Sequence, residues 1–212
     1  MRTNGKLLRT KIACALGLAL VLAWSMSPAL AQNSNLPVEN PSESDFINAL
    51  GGNASGLQSK AFRRTAAPDS ETDACPEVMV SGTTPGGATK NLVPVPYAPD
   101  GAPSINLAIN FATNSDKVLP SSFGGLNNLA NALKSSAMSG ASVAVAGHTD
   151  AQGALQTNLQ LSCARAISVR SYLIARGVDP ARLGAYGFGP KRPLESATIS
   201  AINRRVEIRR AN

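Results

Sequence analysis

The C-terminal half of the sequence predicts an α/β fold, a two-layer sandwich in which helices pack on a mixed sheet. Two observations support this prediction. Short apolar stretches typical of strands recur between residues 103 and 210, and two longer segments between them repeat apolar residues with a helical period. Strands that alternate with helices form a sheet of about four strands with the helices packed on it. We expect a mixed sheet because the last strand can pair in either direction.

The first strand is predicted at 105–111, where apolar side chains alternate with smaller or polar ones. A polar loop follows at 113–116. The next segment repeats apolar residues at a spacing that places them on one helix face, and Pro120 suits its first turn. The apolar positions of this predicted helix are Leu119, Phe123, Leu126, Ala130, Leu133 and Ala137.

The rest of the domain continues the alternation. In chain order we predict a strand at 142–146, a helix from about Ala154 to Arg176, a strand at 182–188, a short helix at 195–201 and a strand at 204–210. Gly177 is a suitable residue to end the long helix. In the last strand, the alternation places Val206 and Ile208 on one face and three charged residues on the other.

Residues 1–31 have the composition of a cleaved signal peptide. Basic residues come first, an apolar run from Ile12 to Trp24 follows, and Ala29-Leu30-Ala31 provides a small-x-small cleavage site. As a helix this run would rise about 20 Å, too short for the roughly 30 Å core of a bilayer. We therefore expect export with cleavage. Cys14 lies at the start of this run, and Lys11 stands where a lipoprotein signal has Leu, so lipid attachment is not expected.

Residues 32–102 are rich in Gly, Pro, Ser, Thr and Ala, which predicts a low-complexity and mostly disordered linker. A short helix could form within it at 43–50, capped by a serine at its start and ended by two glycines. Its apolar edge, with Phe46 and Ile47, could dock on the main domain or on a partner, or could be a local helix without function. The folded domain is then expected at 103–212.

Charge and cysteine content limit the function classes. The full chain has a net charge of +7, but four of its basic residues lie in the predicted signal peptide, which leaves +3. This mild charge gives no reason to expect nucleic-acid binding. Cys75 and Cys163 remain after cleavage, and an oxidising compartment permits a disulfide between them. The sequence leaves their pairing open, because it does not show whether the two sulfurs approach.

Three motifs follow one another in the C-terminal half: HTD-x-x-G at 148–153, N-x-x-L-S-x-x-R-A-x-x-V at 158–169 and NRRV at 203–206. On these motifs, residues 103–210 resemble the OmpA-like peptidoglycan-binding domain family. The resemblance implies the α/β sandwich, a periplasmic location beside the wall and the outer membrane, and a contribution to cell-envelope integrity in a Gram-negative periplasm. It also implies non-covalent binding of peptidoglycan through the meso-diaminopimelate of its stem peptide.

Asp150 and Arg165 fall at the positions that grip diaminopimelate in the family. The side chain of this amino acid ends in an ammonium and a carboxylate on one carbon, so Asp can accept from the ammonium and Arg can donate two parallel hydrogen bonds to the carboxylate. From chemistry alone, an internal ion pair between the two residues is the commoner arrangement. The resemblance favours ligand binding instead. Supporting roles are expected for Phe111, Ala112, Thr113, Thr149, Asn158, Leu161, Ser162, Asn203 and Arg204.

Catalysis is not expected. A Ser-His-Asp site would need an oriented base beside a nucleophile, but His148 and Asp150 are two residues apart and no G-x-S-x-G motif occurs. One histidine, two separated cysteines and no acidic cluster argue against a metal site, and no cofactor is expected. Two alternatives stay open: an adaptor whose residues 32–102 bind an outer-membrane or other envelope protein, and, less favoured, a wall hydrolase.

Overall fold

The computed structural model describes residues 36–51, 75 and 95–212, so the predicted signal peptide and most of the predicted linker lie outside the described residues. The described part contains three α-helices and four strands, which are α1 (Glu43–Leu50), β1 (Ser104–Leu107), α2 (Phe123–Lys134), β2 (Val143–His148), α3 (Leu155–Ala175), β3 (Leu183–Gly189) and β4 (Val206–Arg210). Among these helices, none has both the length and the apolar character that crossing a membrane requires.

The four strands form one sheet in the order β1-β4-β2-β3. Strand β2 pairs with β3 in parallel, whereas β4 is antiparallel to both β1 and β2. The last strand of the chain therefore inserts between the first two, and the predicted mixed sheet is confirmed.

The main core lies between the helices and one face of the sheet. Alternate residues of the strands, such as Val145 and Ile208, are fully buried there, and the helices contribute residues such as Leu129, Val169 and Leu173. The other face of the sheet carries a smaller aromatic cluster. Tyr97 lies there against Tyr186 and Phe188, with ring centroids 5.4 and 4.8 Å away. The segment before β1 thus covers the face that the helices leave free.

Three predicted elements differ from those observed. Strand β1 ends at Leu107, which pairs with Val206, the first residue of its neighbour β4, and farther along the chain the Asn110 N–H donates to the Ser122 hydroxyl. No helix forms at 195–201, since the Asn203 side chain forms hydrogen bonds with the backbone of this segment. Its Oδ1 accepts from the N–H groups of Leu194 and Glu195. The last strand starts at Val206, after a single turn of 3-10 helix at Ala201–Asn203.

Helix α1 belongs to the core of the domain. Ser42 caps its start, accepting from the Asp45 N–H, and the Asp45 carboxylate accepts from the Ser42 N–H in return. Phe46 and Leu50 are 0% exposed and pack in the main core. The Arg210 Nη1, at the end of β4, donates to the last helical carbonyl at 2.9 Å. The short helix expected at 43–50 is therefore present, and its apolar edge docks on the main domain and not on a partner. Residues 36–51 are part of the domain and do not form a linker.

Residues from before the predicted domain also cover both edges of the sheet. Val38 forms a parallel bridge with Leu107, donating its N–H to Asn106 and accepting from Ala108. On the opposite edge, the Cys75 N–H donates to the carbonyl of Ala185 in β3. Since unpaired strand edges favour association with other chains, these contacts protect the sheet as well as stabilise it.

Cys75 and Cys163 form a disulfide, with Cα atoms 5.6 Å apart. Cys163 lies in α3, so the bond ties the residue that covers the β3 edge to the helix packed over that strand. The cysteines are 88 residues apart. A cross-link of this span restricts the unfolded chain strongly, which stabilises the folded state.

Reduction of the disulfide should therefore lower the free energy of unfolding by about 2–4 kcal/mol. Urea unfolding of the wild type with and without a reductant measures the change. The double variant Cys75→Ser/Cys163→Ser is the control, and its stability should not respond to the reductant. An unchanged unfolding midpoint in wild-type protein whose reduction is verified by thiol mass labelling would contradict the prediction.

Candidate functional site

The candidate site lies where β2 ends. Thr149 and Asp150 follow directly on this strand, and two backbone hydrogen bonds hold the turn. The Thr149 N–H donates to the Gly189 carbonyl at 3.0 Å, and the Ala151 N–H donates to the Thr198 carbonyl at 2.9 Å. The Asp150 carboxylate is thereby fixed at the carboxyl ends of the two parallel strands, with its side chain only 7% exposed.

Arg165 reaches this point because α3 packs very closely on the strands. A Cβ atom at Gly147 would overlap the Ser162 carbonyl group, lying 2.8 Å from its carbon, and one at Gly187 would lie 2.8 Å from the Cβ of Cys163. Two neighbouring strands thus present glycines to the same turn of the helix. This close approach holds the residues that follow, Asp150 on the strand side and Arg165 on the helix side, at the same end of the sheet.

Both carboxylate oxygens of Asp150 have partners within the chain. Oδ1 accepts from the Gln152 N–H at 3.2 Å, and Oδ2 accepts from the Arg204 Nη1 at 2.7 Å. The Arg204 side chain is 50% exposed. The internal ion pair that chemistry alone suggested for Asp150 therefore exists, but its cation is Arg204 and not Arg165.

Arg165 is oriented without an ion-pair partner among the described residues. Its Nε donates to the Ser115 carbonyl at 3.2 Å, and its guanidinium carbon lies 4.8 Å from the centroid of the Phe111 ring. Burial lowers the pKa of Arg165 and nearby Arg204 lowers it further, whereas Asp116 and Asp150 raise it. The guanidinium nevertheless stays charged, because arginine side chains are effectively always protonated in proteins.

The loop that carries Ser115 is itself attached to α3. The Asp116 carboxylate accepts from the Ser168 hydroxyl at 2.9 Å, and the Ser115 hydroxyl accepts from the Lys117 N–H at 3.0 Å. Ser115 and Asp116 were not among the predicted site residues. Ser115 acts on Arg165 through its backbone carbonyl, which gives no side-chain signal in a sequence. The only available signal was an acidic residue in the predicted polar loop.

The predicted supporting residues divide into three groups. Phe111 contacts Arg165 directly, whereas Ala112 and Thr113 lie in the same loop. Asn158 and Ser162 form hydrogen bonds within the chain: the Asn158 amide donates to the Gln152 carbonyl, and the Ser162 hydroxyl accepts from the Gly189 N–H. Leu161 lies beside them on α3 and is partly buried. Thr149 has a buried Oγ1 that finds no hydrogen-bond partner in the described part of the chain. Asn203 holds residues 194–197, and Arg204 contacts Asp150.

His148 points to the face of the sheet that carries the aromatic cluster, away from the helices. It is buried, stacks on Phe188, and its Nε2 lies 3.3 Å from the Glu207 Oε2. Burial lowers the pKa of His148 to about 4, so the ring is neutral near pH 7. Ser162 donates its hydroxyl to the Leu159 carbonyl and not to His148. Ser162 and His148 therefore do not form a pair of nucleophile and base. Within the described ranges, no three potential metal ligands cluster.

Comparison with known proteins shows what this part of the chain is similar to. Residues 110–207 match the model of the OmpA family. Outer membrane porin F of Pseudomonas fluorescens is 39% identical over 106 residues, which cover 49% of this chain and 32% of the porin. The peptidoglycan-associated lipoprotein of Pseudomonas aeruginosa is 35% identical over 103 residues, which cover 47% of this chain and 60% of the lipoprotein.

A third relative aligns over a longer stretch. The peptidoglycan-binding protein ArfA of Mycobacterium tuberculosis is 32% identical over 160 residues, which cover 67% of this chain and 48% of ArfA. The chain therefore spans between about a third and three fifths of the length of these relatives.

Proposed function

We propose that this protein binds peptidoglycan non-covalently in the bacterial cell envelope, because residues 110–207 match the model of the OmpA family. The names of two relatives, a peptidoglycan-associated lipoprotein and a peptidoglycan-binding protein, support this function. Export to the periplasm through a cleaved signal peptide, and residence beside the wall and the outer membrane, are parts of the same proposal. The protein acts as a binding module, without catalysis or a cofactor.

The observation that carries the proposal is the charge arrangement at the end of β2. A buried carboxylate, Asp150, and a half-buried guanidinium, Arg165, lie at the same end of the sheet without pairing with each other. Such an arrangement is complementary to a ligand that carries an ammonium and a carboxylate on one carbon. Meso-diaminopimelate in the stem peptide of the wall has this group.

Arg165 is suited to the carboxylate end of this ligand. Its Nε is already held by the Ser115 carbonyl and its plane by Phe111, so the guanidinium loses little further freedom on binding. The two Nη groups can then donate parallel hydrogen bonds to a carboxylate. Asp150 is suited to the ammonium end, because a buried carboxylate is stabilised by a cation.

Wall fragments that contain meso-diaminopimelate should therefore bind more tightly than fragments with lysine in its place. Lysine keeps the ammonium but lacks the neighbouring carboxylate, and a charge-assisted hydrogen bond is worth about 1.5–3 kcal/mol, roughly a tenfold to hundredfold difference in affinity. Arg165→Ala should remove most of this discrimination, and Asp150→Ala should weaken binding of both fragments. Calorimetric titration of the two fragments into wild type and both variants measures these differences.

Arg176→Ala is the charge-matched control. Arg176 follows the last turn of α3, 11 residues and roughly 16 Å beyond Arg165, and its guanidinium stacks on Tyr172. This variant should keep the wild-type affinities, and thermal melts verify that all variants are folded. Equal affinity of the wild type for both fragments would show that Arg165 does not bind the ligand carboxylate.

A further inference from the structure

The Asp150 carboxylate has no free position for a second cation. One oxygen accepts from the Gln152 N–H, the other accepts from Arg204, and the side chain is 7% exposed. A carboxylate has lone pairs for further donors, but so buried a group offers them no open approach. A ligand ammonium can reach Asp150 closely only if the Arg204 guanidinium moves away.

Arg204 is the partner that can move. Its side chain is half exposed, and within the described part of the chain it donates one side-chain hydrogen bond, to Asp150. A guanidinium at such a position can be hydrated at little cost, because exposed ion pairs contribute little to stability. Asp150 cannot be left alone in the same way, since an unpaired buried charge is strongly unfavourable. Only another cation can therefore take the place of Arg204.

The displaced guanidinium would remain close to the ligand. Arg204 is near enough to Arg165 for its charge to lower the pKa of that residue. Two guanidinium groups close together repel each other, and a carboxylate placed between them relieves this repulsion. A zwitterionic ligand supplies that carboxylate at one bond from the carbon that carries its ammonium.

We propose that Arg204 is a specificity-determining residue that occupies Asp150 in the free protein and is exchanged for the ligand ammonium on binding. The released guanidinium then contacts the ligand carboxylate together with Arg165. A ligand with an ammonium alone must break the Arg204–Asp150 pair, and it has no carboxylate that the displaced Arg204 could contact. The exchange therefore penalises amines that lack the carboxylate. This inference rests on the proposed function of the site.

The test is the effect of Arg204→Ala on the two wall fragments. Without a competitor on Asp150, the lysine fragment should bind roughly two- to fivefold more tightly than it binds the wild type. The diaminopimelate fragment should gain no affinity, or should bind up to about fivefold more weakly, because one of its carboxylate contacts is lost. Arg204→Gln removes the charge with a smaller change in volume and should shift both affinities in the same directions. Arg176→Ala serves again as the charge control.

The sign of the change for the lysine fragment distinguishes exchange from a structural role. If Arg204 merely stabilised the turn at Asp150, both variants would weaken the binding of both fragments, and the exchange would be refuted while peptidoglycan binding stood. Unchanged affinities for both fragments would also refute it. Co-sedimentation of the wild type with intact peptidoglycan is measured in parallel, and its failure would overturn the proposed function and the exchange together.

Discussion

Gly147→Ala should prevent the domain from folding stably. A Cβ atom at this position would overlap the Ser162 carbonyl group and would lie 3.2 Å from the Ser162 Cα. The obstructing atoms are backbone atoms in the middle of α3, so no side-chain rotation relieves the overlap, and the helix must move away from β2. We expect a loss of more than about 3 kcal/mol, a large part of the roughly 5–15 kcal/mol that stabilises a typical domain. Thermal unfolding followed by circular dichroism measures this loss.

Gly124→Ala is the matched control. Gly124 lies in α2, is exposed, and a Cβ there would make only an ordinary contact, 3.6 Å from the Asn40 Oδ1. Because alanine is favoured over glycine in a helix by roughly 0.5–1 kcal/mol, this variant should be as stable as the wild type or slightly more so. A Gly147→Ala protein that melts like the wild type would show that α3 does not approach β2 as closely as described.

The contact at Gly147 also explains why the positions of Asp150 and Arg165 in the fold could be predicted from the sequence. Gly147 is three residues before Asp150, and its counterpart Ser162 is three residues before Arg165. The strand end and the helix turn that must meet are thus close in the sequence to the residues they position. A local pattern of a strand, a glycine loop and a helical stripe was therefore sufficient to place the two charges at one end of the sheet.

The partners of these charges could not be predicted in the same way. Arg204 is 54 residues from Asp150, and it reaches the carboxylate only because β4 inserts between β1 and β2. Ser115 is 50 residues from Arg165 and acts through a backbone carbonyl. Contacts of this kind depend on the order of the strands, and the residue pattern had left the pairing of the last strand open.

The segment before β1 shows a related difficulty. Its Gly, Pro and Ser content resembles that of a linker, but composition averages over a region and conceals a few apolar residues with a fixed place in the core. Phe46 and Leu50 are four residues apart, which puts them on one side of α1. The same two residues could equally have faced a partner, and only the packing of α1 in the core distinguishes the two cases.

Phe46→Ala should therefore destabilise the C-terminal domain although it lies far before β1 in the chain. Phe46 is 0% exposed and is among the largest fully buried side chains of the described residues. Truncating a buried phenylalanine removes apolar contacts and leaves a cavity, at a cost of about 3–5 kcal/mol. Asn48→Ala, on the exposed side of the same helix, should have little effect, because it removes neither burial nor a cap. Urea unfolding of the two variants compares them directly. Equal stability of Phe46→Ala and Asn48→Ala would mean that α1 is a separate helix and not part of the core, whereas selective loss in Phe46→Ala would extend the folded unit of the domain to residues 36–51.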